Sequence, residues 1–198
     1  MQLSREPRRG NSRERARTIP LATDPAGMEP GAFVRSANVL LRNGYSPIPI
    51  APNLRRPLLK GWSRLCIEPR SCSEIEQLGR KYPTAGVGVA CGYLGLVAVD
   101  IDTDDPDVLV AIRNVLGESA VSRRGQKGRC DFYRSERNVL SRQITDKAGK
   151  VLVDVLSMGR LALIPPSIHW RTGVPYTWLT GSTLLTLPAD ALPLSGSC

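Results

Sequence analysis

The stretch GVGVACGYLGLVAVDID, residues 86–102, decides the reading of this chain. It holds two short apolar runs, 86–90 and 96–102, separated by Gly92 and Gly95, and so predicts two buried strands paired through a tight turn. The second run closes on Val97-Ala98-Val99-Asp100-Ile101-Asp102. Charged residues rarely enter such a run without a purpose. Residues i and i+2 of a strand share a face, so Asp100 and Asp102 project together. Like charges so placed repel unless a shared proton or a cation offsets them, and Mg²⁺ or Mn²⁺ does this while also binding phosphate oxygens. The competing reading has such acids merely begin a loop and cap the next helix; that is the role expected of Asp104 and Asp105. A calcium loop is excluded: counted from Asp100, the sixth position is Asp105 rather than Gly and the twelfth is Ala111 rather than Glu.

Outward from this stretch, Asp105-Pro106 opens a helix, with Pro at the first helical position where its missing N–H costs nothing. Val108, Leu109, Ile112, Val115 and Leu116 form its apolar stripe and Gly117 ends it. Upstream, Phe33, Ala37, Leu40 and Leu41 recur at helical spacing, closed by Gly44, and 45–50 reads as a strand. A Pro-rich basic loop fills 51–62, and a further helix is expected from Ser73, whose SEIE fits a capping box. Downstream, strands are predicted at 119–123, 130–134, 151–156, 160–164 and 175–179. Strands outnumber helices and cluster late, which predicts an α+β fold with a mixed or antiparallel sheet covered by a few helices.

A formal charge of +9 points to an anionic partner, with nucleic acid or a phosphorylated ligand ahead of a membrane surface. No run of about 18 apolar residues exists, so no membrane span is expected. Residues 1–29 carry Arg5, Arg8, Arg9, Arg13, Arg15 and Arg17 with almost no apolar content and read as a disordered basic tail. The folded domain is expected over 30–190 and a flexible tail over 191–198. The tail lacks the apolar segment of a secretory signal. The five cysteines form no CxxC pair, and with one histidine a structural zinc site is not expected. Reduced thiols in a cytoplasmic protein follow.

A third acid lies in a setting like that of Asp100. Val151-Leu152-Val153-Asp154-Val155-Leu156 is an apolar run interrupted by one carboxylate, costly unless paired or metal-bound. Asp100, Asp102 and Asp154 on neighbouring strands would make a two-metal site for in-line phosphoryl chemistry; an ion pair from Asp154 to an arginine is the competing explanation. Between them, the segment from Ser122 to Arg129 carries Arg123, Arg124, Lys127 and Arg129 with two glycines. Glycines let backbone N–H groups approach a phosphate, and the cations supply charge. It is not a P-loop, since GK[ST] is absent, and an exposed charged turn is the alternative.

These residues resemble the N-terminal primase–polymerase (Prim-Pol) domain of the archaeo-eukaryotic primase superfamily. The resemblance is carried by RPLLKGW (56–62), GVGVACGYLGLVAVDIDT (86–103), RRGQKGRCDFYR (123–134) and VDVLSMGRLALIPPSIHWRTGVPYTWL (153–179), in family order. It implies an RRM-like sheet bearing the acids beside a small helical N-terminal part. It implies template-directed nucleotidyl transfer with Mg²⁺ or Mn²⁺ on a DNA template and primer with nucleoside triphosphates, in replication of a phage, plasmid or integrated element. The family's paired-acid motif falls on Asp100 and Asp102, its third metal acid on Asp154, and its triphosphate-binding loop on Arg123 to Arg129. Lys60 and His169 are implied as nucleotide contacts, with packing beside Trp62 and a hydrogen-bonding role as the respective alternatives. The chain departs from the pattern at Cys130, where the family usually has His. The sequence shows no helicase module, so a helicase would act from a separate chain. Two other functions remain open at this stage: a non-catalytic nucleotide- or nucleic-acid-binding module of a replication initiator, which Cys130 favours, and a metal-dependent nuclease.

Overall fold

A computed structural model describes residues 29–179. The expectations for residues 1–28 and 180–198, the tails included, lie outside the described residues. The fold is α+β, as the order of elements predicts, and its β-structure is divided between two antiparallel sheets. The smaller has the order β1-β2-β8, formed by Pro47–Ile50, Gly86–Ala90 and Leu161–Leu163. The larger contains β3 (Leu96–Ile101), β4 (Val121–Arg124), β5 (Arg129–Arg134), β6 (Arg142–Thr145), β7 (Val151–Leu156) and β9 (Thr177–Trp178), in the order β6-β7-β3-β5-β4-β9.

The two runs of the opening stretch, β2 and β3, are therefore not partners. Gly92 and Gly95 both adopt positive φ around a 3₁₀ turn at Tyr93–Gly95, and the chain passes from one sheet to the other. A Cβ on Gly95 would lie 2.2 Å from the Ser135 carbonyl oxygen, so only glycine fits this crossing.

Side-chain alternation then assigns each face. Val87 and Val89 of β2, Ala162 of β8, and Leu96, Ala98, Cys130 and Phe132 of the large sheet share one core with Phe33, Ala37 and Leu40 of α1 (Ala32–Arg42) and Ile75 of α2 (Cys72–Lys81). The far face of the small sheet packs Ile48, Ile50 and Leu163 against Leu65, Trp62 and Tyr176. The far face of the large sheet, Val97, Val99, Ile101, Val153, Val155 and Tyr133, is covered by Leu109, Ile112 and Leu116 of α3 (Pro106–Leu116). Val115, expected in that stripe, is instead 67% exposed; the helix meets the sheet along a narrower line.

The helix starts follow local chemistry. Asp105 caps α3, its carboxylate accepting the Asp107 N–H at 2.9 Å, with Pro106 first in the helix. The cap of α2 lies two residues ahead of the expected Ser73, at Ser71. Two overlapping S-x-x-E patterns exist here, and the capping box uses Ser71 with Glu74 rather than Ser73 with Glu76. The strand Arg142–Thr145 has no counterpart in the sequence reading, because its residues are all exposed and carry no alternation.

Candidate active site

Along β3, Leu96, Ala98 and Asp100 share a face. The first two are sealed in the inter-sheet core, whereas the Asp100 side chain is 30% exposed, so this face turns from apolar to polar at residue 100. Strand register carries that transition across the sheet. Asp100 stands opposite Asp154 of β7 on one side and Cys130 of β5 on the other. Cys130 faces Arg123 of β4, Arg123 faces Trp178 of β9, and Asp154 faces Gln143 of β6. Opposite residues point to the same side of a sheet. Gln143, Asp154, Asp100, Cys130, Arg123 and Trp178 thus form one row.

Asp102 donates its N–H to the Leu152 carbonyl at 2.9 Å. That pair, and the Asp100–Asp154 pair two residues away, are therefore of the hydrogen-bonded type, with Cα atoms about 5.5 Å apart. Facing carboxylates at this separation repel unless something positive lies between or beside them. Arg123 supplies part of that charge, its Nη2 lying 3.4 Å from Asp100 Oδ1. Its side chain is only 6% exposed and is satisfied on its other sides: Nε donates to the Leu163 carbonyl at 2.7 Å, and the guanidinium lies 4.4 Å from the Tyr176 ring centroid. One residue thereby links the acids of the large sheet to β8 of the small one. Gln143 Nε2 approaches Asp154 Oδ2 at 3.5 Å, a long contact. Asp102, one step further along β3, is met by Lys127 Nζ at 3.4 Å.

Among the described residues no three or more His, Cys, Asp and Glu side chains come together as a group that could hold a metal ion. Mg²⁺ seldom uses a cage of protein ligands; it is held by one or two carboxylates together with waters and substrate phosphates. A facing Asp pair at the rim of a core, with a third acid beyond it on the same face, suits that mode of binding.

The loop between β4 and β5 is held by Asp104. Its carboxylate accepts the Gly128 N–H at 2.9 Å and pairs with Arg124 Nη2 at 3.1 Å. Asp104 does not merely begin a loop, as expected, and the Gly128 amide is committed to it rather than presented to a phosphate. Gly128 is irreplaceable here: φ is +57° and a Cβ would lie 1.8 Å from the Ile101 carbonyl oxygen.

Residues 37–194 match the family of bifunctional DNA primase/polymerase N-terminal domains, Prim-Pol. The chain belongs to the Prim-Pol family. Membership points to primase/polymerase function of the nucleotidyltransferase type, with DNA and nucleotides as substrates. A comparison with curated proteins returned no match. No helix among the described residues is long and apolar enough to cross a membrane.

This Prim-Pol domain brings together some of the expected residues and separates others. Asp100, Asp154 and Arg123 meet in the row, and Lys127 reaches Asp102. Arg129 is a correction. By alternation it lies with Asp131 on the opposite face from Cys130, and its Nη2 is 2.8 Å from the fully buried Asp131 Oδ2. It therefore lies away from the face that carries Asp100, Cys130 and Arg123. Lys60 is exposed and lines a cleft of about 350 Å³ with Trp62, Arg64, Glu68 and Glu74, and no described contact joins it to the acids. Cys130 is buried, and burial pushes its thiol far above the ordinary range despite the Arg123 charge, so it stays neutral.

His169 sits beside the row. Its ring packs edge-on to Tyr176 at 5.3 Å, and its Nδ1 accepts the Thr172 N–H at 3.3 Å. Burial, then the charges of Arg123, Arg55 and Arg171, hold it below the usual histidine value. The ring is thus neutral at pH 7 with its proton on Nε2, a donor rather than a cation. Sequence reasoning missed Tyr176, Arg55 and Gln143. Tyr176 carried a signal, since it stands in the PPSIH…PYTW segment; the other two had none.

Proposed function

We propose that this Prim-Pol domain is a template-directed nucleotidyltransferase in which Asp100 and Asp154, with Asp102 beside them, hold Mg²⁺ or Mn²⁺. The observation that carries the reading is the register pairing of Asp100 with Asp154, two half-buried carboxylates forced to face each other at the rim of the core. Their mutual repulsion is the standing cost that a divalent cation relieves. Bound there, the metal would neutralise charge on the attacking and leaving oxygens of an in-line phosphoryl transfer. The chain's own groups do the rest: Lys127 and Arg124 offer cations at the mouth of the β4–β5 loop, Arg123 fixes the Asp100 carboxylate, and His169 offers an Nε2–H. The reading extends to replication of a mobile element, where the chain would act on a primed template.

Primer extension with Mn²⁺ tests this. Asp154→Asn, which keeps size and polarity, is expected to lower the rate by two orders of magnitude or more, since metal charge stabilisation supplies several kcal/mol. Equal rates in wild type and Asp154→Asn would remove the acid pair from the chemistry. One observation favours a second reading, a nucleotide-binding module without turnover: the buried neutral thiol of Cys130 stands where the family usually has His. Binding of Mn²⁺ and triphosphate with no extension selects it.

A further inference from the structure

The chain has two long stretches without a carboxylate. None of its 18 Asp and Glu lies within 30–67 or 155–189. The fold brings the two together, since 51–54 and 166–168 line the same cleft of about 230 Å³. From that cleft the chain runs out as a short two-stranded projection. Ile168 bridges Pro175, His169 and Val174 share a backbone hydrogen bond of 2.8 Å, and Gly173 at φ +70° turns the tip. The tip residues are Trp170 and Arg171. Trp170 is 38% exposed, and the Arg171 guanidinium lies 4.6 Å from its ring centroid. Across the cleft, the loop 51–57, exposed over 52–56, bears Arg55 and Arg56 and is fixed by the Ile50–Pro57 bridge and the Ala51 N–H to Arg56 carbonyl bond of 2.8 Å. Among the described residues no carboxylate pairs with Arg55, Arg56 or Arg171.

We infer that this projection and the 51–57 loop form a binding surface for single-stranded nucleic acid, with Trp170 stacking on a base and Arg55, Arg56 and Arg171 following the backbone. An accessible indole stacked with Arg171, beside a loop whose arginines have no carboxylate partner among the described residues, is the arrangement that single strands use: stacking for the bases and charge for the chain. The surface also has a direction. Contacts step inward from His169 to Tyr176 at 5.3 Å, from Tyr176 to Arg123 at 4.4 Å, and from Arg123 to Asp100 at 3.4 Å. A strand held at Trp170 is thus delivered to the row of acids. The inference rests on the template-directed reading above, but its binding is independent of metal and turnover.

The test is fluorescence anisotropy of the full chain with a labelled single-stranded oligonucleotide, an abasic oligonucleotide of equal length and a duplex, without metal or triphosphates. Wild type is expected to prefer the base-bearing single strand. Trp170→Ala should weaken it roughly five- to a hundredfold while leaving the abasic strand almost unchanged. Arg55→Ala with Arg56→Ala should weaken all three probes and flatten the salt dependence by about one phosphate equivalent per arginine. Trp170→Phe, which keeps an aromatic plane, should recover most of the loss. Equal affinity of wild type and Trp170→Ala for the base-bearing strand overturns the inference, as does wild-type affinity no greater for that strand than for the abasic one. Wild type that binds in this way yet extends no primer with Mn²⁺ would instead overturn the catalytic reading alone.

Discussion

Arg123 occupies a position where a guanidinium has to be met on every side: Asp100, the Leu163 carbonyl and the Tyr176 ring each take a part of it. Arg123→Met is therefore expected to cost about 2–4 kcal/mol by chemical denaturation, somewhat below the range for wholly buried pairs because water reaches Asp100. The same variant leaves the two facing acids without their fixed cation, so Mn²⁺ should raise its midpoint more than that of wild type. His169 gives a pH prediction. Burial and its cationic neighbours depress its folded value below 6.5, so in acid the unfolded chain takes up a proton that the folded one resists. Stability is complete above that pH and falls as the pH drops through it; His169→Gln should shrink the decline in urea midpoint between about pH 7 and pH 5. What was legible at this scale follows from strand parity. Asp100 and Asp154 interrupt apolar runs and announce themselves. Arg129 was misplaced because the basic loop was read as one cluster, while alternation across Arg129, Cys130 and Asp131 sends neighbours to opposite faces.

At the scale of elements, the helices are specified by their ends. Ser71 satisfies the first turn of α2 through the Glu74 amide, and the Glu74 carboxylate, held below its usual range chiefly by the Ser71 N–H, returns the bond. Ser71→Ala should destabilise the domain by about 1 kcal/mol, and Ser73→Ala should leave the thermal midpoint nearly unchanged. That contrast also shows why the boundary misled: two capping boxes overlap in the sequence, and only the path of the chain into α2 chooses between them. The strands β3 and β7 were readable because each is an apolar run broken by a single acid. Their pairing was not. A Gly-rich interval of four or five residues serves equally for a hairpin or for a crossing between sheets, and the difference is settled by the approach of Gly95 to Ser135, far along the chain. The strand Arg142–Thr145, wholly exposed, has no hydrophobic pattern to display.

Taken whole, the molecule carries +9 but distributes it unevenly, with its acids drawn out of two long stretches. Binding to a single strand should therefore fall steeply with salt, log K against log [salt] having a slope near −0.7 for every phosphate engaged, or about −3 if four are. Titration between about 50 and 200 mM KCl measures it, and a flat profile would show that the charge is idle. The two sheets meet through apolar packing over most of their contact, but at the rim they are tied by the guanidinium of Arg123. That tie constrains how the domain can change over generations. Replacing Asp100 alone strands a cation out of reach of water, so the first step toward losing turnover also threatens folding. A lineage that abandons the chemistry keeps this aspartate or alters both positions at once, and an intact Asp100 in a relative records the demands of architecture as much as those of reaction.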